Sequence, residues 1–149
     1  MKTRFVSHKD KVLDKISKQL SSNLNAAAEY SVRHIKEKIS TGGSVTEARY
    51  NIKTNKVRRV KVGVIHSKPW EPPYVQTGHL RNSIGYEVAG KQRGFYKRRI
   101  GTGIKGGNDT SYAICLEFGT RNMLPRPYMR PSMYETRDMV KKLVMAGLE

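Results

Sequence analysis

Cysteine, acidic residues and long apolar runs are all scarce in this chain of 149 residues. Its one cysteine, Cys115, excludes an internal disulfide framework and suits a reducing compartment. The longest stretch without a charged residue is ten, from Gln19 to Ala28, far short of the roughly 20 apolar residues a membrane span needs. The first fifteen residues, Met1 to Lys15, hold no apolar run of signal-peptide type. Counted with glycine and without tyrosine, the apolar share is about 40%, under the usual 45–50% or so, which predicts a thin core helped by burial against other subunits. A single soluble, intracellular domain over residues 1–149, with no membrane contact, is the expectation.

What the chain has in excess is positive charge. There are 29 Lys and Arg against 12 Asp and Glu, for a net charge of +17. Residues 53–105 hold thirteen basic side chains and two acidic ones, Glu71 and Glu87. Two clusters dominate: Lys53, Lys56, Arg58, Arg59 and Lys61, then Lys91, Arg93, Lys97, Arg98, Arg99 and Lys105. Such crowding repels itself unless an anion lies near, and nucleic-acid phosphate is the commonest such partner. Arg58, Arg59, Lys61, Lys97, Arg98 and Arg99 are therefore candidate DNA contacts, without a motif for reading sequence. A solvated basic face is the plainer alternative.

The apolar spacing predicts a long amphipathic helix over 8–39, with Val12, Ile16, Leu20, Leu24, Ala28, Ile35 and Ile39 on one face. Ser7 and Asp10 form its start signal and Thr41-Gly42-Gly43 its stop. The period then falls to two. Tyr50 and Ile52, a turn at Thr54-Asn55-Lys56, and Val60, Val62 and Val64 predict a hairpin with one buried and one basic face. The prolines of 68–73 exclude a central strand there. Ile84, Tyr86 and Val88, a turn over Gly90 to Gly94, and Tyr96, Arg98 and Ile100 predict a second hairpin. Gly101 to Asn108 reads as a flexible loop, and Ser111 to Phe118 as a short buried strand. Met133, Val140, Leu143, Val144 and Leu148 follow helical spacing in a last helix entered through Pro131. The fold class expected is α+β, with the long N-terminal helix and the C-terminal helix packed on one face of a small, mainly antiparallel sheet.

Reactive constellations are thin. His8, His34, His66 and His79 are scattered and Cys115 has no partner at zinc spacing, so no metal or cofactor is expected. Cys115 in an apolar segment reads as an inert thiol. Gly101 to Gly107 lacks the Lys-Ser/Thr and the following helix of a phosphate loop. Glu117, alone in an apolar setting, is expected to pair with Arg126 or Arg130; with no second carboxylate or histidine beside it, general acid chemistry has no support. The chain is not expected to be an enzyme.

Two motifs stand out. One is Thr77-Gly78-His79-Leu80-Arg81-Asn82-Ser83-Ile84, with Pro73 four residues ahead of Thr77. The other runs from Tyr112 through Glu117-Phe118-Gly119-Thr120, followed by Arg126-Pro127-Tyr128-Met129-Arg130-Pro131 and the terminal helix. Read physically, Gly78 bends the chain so that Leu80 and Ile84 point inward and Arg81 outward, and Gly119 permits a sharp exit. Read as a strand, the second motif sets Tyr112, Ile114 and Leu116 on one side and Cys115 and Glu117 on the other.

Together the motifs resemble the minor tail-component, or head–tail joining, family of long-tailed bacteriophages and prophages. The matched segments span 73–131, and the helix–sheet–helix order matches the whole length. Gln76 stands where that family usually has Asp, Tyr128 where it has Phe, and Pro125 where Ala is common. The resemblance implies a structural virion protein of the neck, forming a ring of six copies that joins the tail tube to the head connector around the DNA channel. Its implied partners are copies of itself, a head-completion or connector protein, and a tail-tube or tail-terminator protein. Arg81, Glu117, Arg126 and Arg130 are the candidate subunit-interface residues. A free basic nucleic-acid-binding protein without sequence specificity is the rival reading.

Overall fold

A computed structural model describes residues 8–40, 44–51, 56–64, 67–75, 77–92, 95–104 and 110–147. Helix α1 (Lys9–Ser40) leads into strands β1 (Ser44–Asn51) and β2 (Lys56–Val64). A short helix α2 (His79–Ser83) precedes β3 (Gly85–Gln92) and β4 (Phe95–Gly101), and α3 (Tyr112–Phe118) and α4 (Met129–Met145) close the chain. The class is α+β. The strands form two separate antiparallel pairs, β1–β2 and β3–β4. The start signal at Ser7, the stop at Thr41 to Gly43, Ile52, the turn residues Thr54 and Asn55, and 105–109 lie outside the described residues. So do the side chains that would form the two faces of β1–β2.

The core gathers Val32, Ile35 and Ile39 of α1, Leu80 of α2 with the adjoining Ile84, Ala113 of α3, and Tyr128. Tyr86 and Ile100, cross-strand partners of β3–β4, pack against it and lay that hairpin on α1. Leu80 and Ile84 reach the core as their spacing predicts. Gly78 has φ 80°, which bends the chain into α2, and the Thr77 hydroxyl accepts the His79 N–H at 3.4 Å.

Helix α4 runs antiparallel to α1: Glu135 meets His34 and Lys38, while Asn23 meets Val144 and Ala146. Among their buried positions are small residues, Ala27, Ala28 and Ser31 on α1 and Ser132 and Thr136 on α4. Each of these hydroxyls donates to a carbonyl four residues back, so burial leaves no donor unmet.

One expectation is corrected here. Ser111 to Phe118 is not a buried strand, because 112–118 is helical, with Ala113, Leu116 and Glu117 turned inward and Ile114 and Phe118 exposed. A short apolar run has no period of its own, and joining Ala113 and Leu116 to the core selects the helix. The α1 stripe is not covered along its length within the single chain: Val12 is 54% and Ile16 48% exposed. The reason is length. At 1.5 Å per residue α1 extends about 48 Å and α4 about 25 Å, so the first turns of α1 run past the end of their partner.

The proline-rich loop is not a strand, as expected, and it is anchored. The Trp70 N–H donates to the Pro125 carbonyl at 2.8 Å, with Trp70 at φ 69° and its ring in solvent.

Candidate functional site

The second motif and the block after it close on each other. From α3, Glu117 accepts the N–H groups of Tyr128 (2.9 Å) and Met129 (3.0 Å) on Oε2 and that of Arg130 (2.9 Å) on Oε1. Those are the first donors of α4, which have no carbonyl a turn earlier to bond. The fourth position is Pro131, which has no N–H. Every orphan donor at this helix start is thus accounted for, by one carboxylate and one proline. A negative charge there also complements the helix dipole.

Glu117 is therefore not the ion-pair partner of Arg126 or Arg130 that the sequence suggests. Its carboxylate takes backbone donors, and it meets Arg130 only through the main chain. The Arg130 guanidinium instead lies over the Phe118 ring, 4.4 Å from its centre. Arg126 uses its N–H on the Leu116 carbonyl (2.7 Å) and one guanidinium nitrogen on the Met123 sulfur (3.9 Å), while its Nε is buried without an acceptor. Burial pushes the Tyr128 phenol well above its usual range, helped by the nearby Glu117 carboxylate and then by Tyr112.

The far end of α4 is held with equal care. Asn23 donates to the carbonyls of Val144 (3.1 Å) and Ala146 (2.7 Å) and accepts from Gln19 (3.0 Å). Nothing in local sequence signals this contact, which spans 121 residues to Val144.

The basic candidates separate. Arg98 faces α1, donating from Nε to Asn25 Oδ1 (2.6 Å) and from Nη2 to the Ser21 hydroxyl (2.8 Å) and carbonyl (3.3 Å). Lys97 and Arg99 point away into solvent, Arg99 pairing with Glu87 across the hairpin at 2.9 Å. Arg58, Arg59 and Lys61 lie on β2, in register with Arg49, Ala48 and Thr46. Arg81 is exposed on α2 and shares a cleft with Glu29, Arg33, Lys36 and Tyr86. Tyr86 donates to Glu29 at 3.0 Å, and that bond raises its phenol above the ordinary value.

Sequence reasoning missed a second cleft, of about 550 Å³, between β4 and α4. Arg130, Met133, Tyr134 and Arg137 line it from α4, and Arg98 and Ile100 from β4. The signal was present in the spacing of those four helix residues, i, i+3, i+4 and i+7.

Among the described residues no three His, Cys, Asp or Glu gather as a metal site, and no helix is long and apolar enough to cross a membrane. No family model, no curated protein and no solved structure matches the chain.

Proposed function

We propose that this chain is a structural subunit of a bacteriophage neck, one copy in a ring that joins the tail tube to the head connector around the DNA channel. The observation carrying the reading is the use made of the motif residues. Leu80, Ile84, Glu117 and Tyr128 all serve one core and one helix start, which is what a scaffold subunit needs and a reactive centre does not.

The bare end of α1 supports the same reading. Val12, Leu13 and Ile16 form an exposed apolar stripe on a projecting rod, suited to burial against a neighbouring copy. The free nucleic-acid-binding alternative draws on the charge of +17. Size and salt dependence separate the two, since a monomer with steeply salt-sensitive DNA binding speaks for the rival.

The direct test is location. Gold-labelled antibody to the chain, applied to tailed particles from cells that express it, should mark the head–tail junction. Unlabelled particles, with the chain recovered only on cellular DNA, overturn the proposal.

A further inference from the structure

We infer that the cleft between β4 and α4 is a docking site for an acidic protein segment that carries one large apolar side chain. This goes beyond the neck reading and stands on the cleft's own chemistry.

Its lining joins the apolar Ile100, Met129 and Met133 to three arginines, Arg98, Arg130 and Arg137. Among the described residues no carboxylate lines it. Two of the three arginines are held in place beforehand, Arg98 by Ser21 and Asn25 and Arg130 by the Phe118 ring. Arg137 has neither a hydrogen bond nor an ion pair to any described residue, so its planar fork is open to a carboxylate. Tyr134, 76% exposed, stands at the edge as a rigid aromatic contact.

The chemistry favours a peptide over nucleic acid. A duplex offers phosphate to the arginines and nothing to the apolar lining. An acidic segment with a Phe or Leu satisfies both, and methionines adapt to the shape of such a side chain. Arginine and tyrosine are also the residues enriched among interface hot spots.

The test is fluorescence anisotropy on the full chain with two labelled peptides, one of glutamates flanking a single phenylalanine and one with alanine in its place. A thymidine oligonucleotide of equal charge is the third probe. The phenylalanine peptide should bind about tenfold more tightly than the alanine peptide. Met133→Glu and Arg137→Glu should each weaken it by about tenfold, whereas Lys97→Glu, on the outer side of β4, should affect both peptides equally.

Equal binding of the two peptides by the unaltered chain overturns the inference, and needs no variant to fold. An unchanged phenylalanine preference in Met133→Glu, with its melting curve intact, does so too. Displacement of the phenylalanine peptide by the oligonucleotide, with Tyr134→Ala weakening the oligonucleotide alone, would assign the cleft to single-stranded nucleic acid instead.

Discussion

Glu117 and Pro131 divide the start of α4 between them: the carboxylate accepts three backbone donors, and the proline occupies the position where a fourth would be. Neither residue does this alone. The arrangement requires α3 to end at Gly119 and the chain to return through 124–128 to bring the helix start beside Glu117.

Replacing Glu117 by alanine should therefore be among the most damaging single changes. Three donors would lose their acceptor in a site where Glu117 is 8% exposed. The expected loss is on the order of 3 kcal/mol, read as a lower urea midpoint at unchanged slope. Glu117→Gln should fall between, because one amide oxygen can still accept while the NH₂ faces donors.

Gly119→Ala should be comparably severe. At φ 78° an alanine is strained, and its Cβ would stand 2.7 Å from the Met123 carbonyl oxygen and 3.0 Å from Pro125. Both obstacles belong to the turn that returns the chain to Glu117, so neither yields cheaply. A loss of about 3 kcal/mol or more in denaturant unfolding is expected.

Asn23→Ala should act locally. The carbonyls of Val144 and Ala146 would lose their donor, at a cost of about 1–2 kcal/mol. Hydrogen exchange should quicken in the last turns of α4 while its first turns, held by Glu117, stay protected.

Glu135 supplies a pH dependence. Hydrogen bonds from Lys38, and then from His34, hold its carboxyl below the usual glutamate range. A carboxyl depressed in the folded state stabilises the fold above its unfolded pKa, and that contribution is lost as pH falls through the lower folded value. Glu135→Gln should melt below the unaltered protein at pH 7, by a small margin because the group is about half exposed. The two curves should converge as pH drops below about 4. A constant gap across that range would contradict the assignment.

The basic cluster of β4 should divide by face. Lys97→Ala and Arg99→Ala should leave melting unchanged and, if this face meets DNA, each should reduce the salt slope of binding by about one. Arg98→Ala should instead lower stability, since its guanidinium joins β4 to Ser21 and Asn25 of α1.

Much of the architecture was legible in the residues. The spacing of four and seven from Leu24 through Ala28 to Ile35 and Ile39 announces a helix, and the alternation around Tyr86 and Ile100 announces a hairpin, because both patterns repeat often enough to have a period. Leu80 and Ile84 were legible as an inward pair for the same reason. The segment 112–118 was not, since seven apolar-rich residues fit either period. Met133, Tyr134 and Arg137 carried a spacing signal, yet only β4 standing opposite turns that face into a cleft.

The two long helices, the two hairpins, the α+β class and the charge excess are thus properties of the sequence by itself, written in periodicity and composition along the chain. Tertiary structure alone decided that Glu117 takes backbone donors instead of an arginine, that Asn23 closes the end of a helix more than a hundred residues away, and that Arg98 turns inward while Lys97 and Arg99 do not. The physical reason is range: a period is set by neighbours along the chain, whereas a hydrogen-bond partner is set by whichever unmet donor or acceptor the packing brings within about 3 Å.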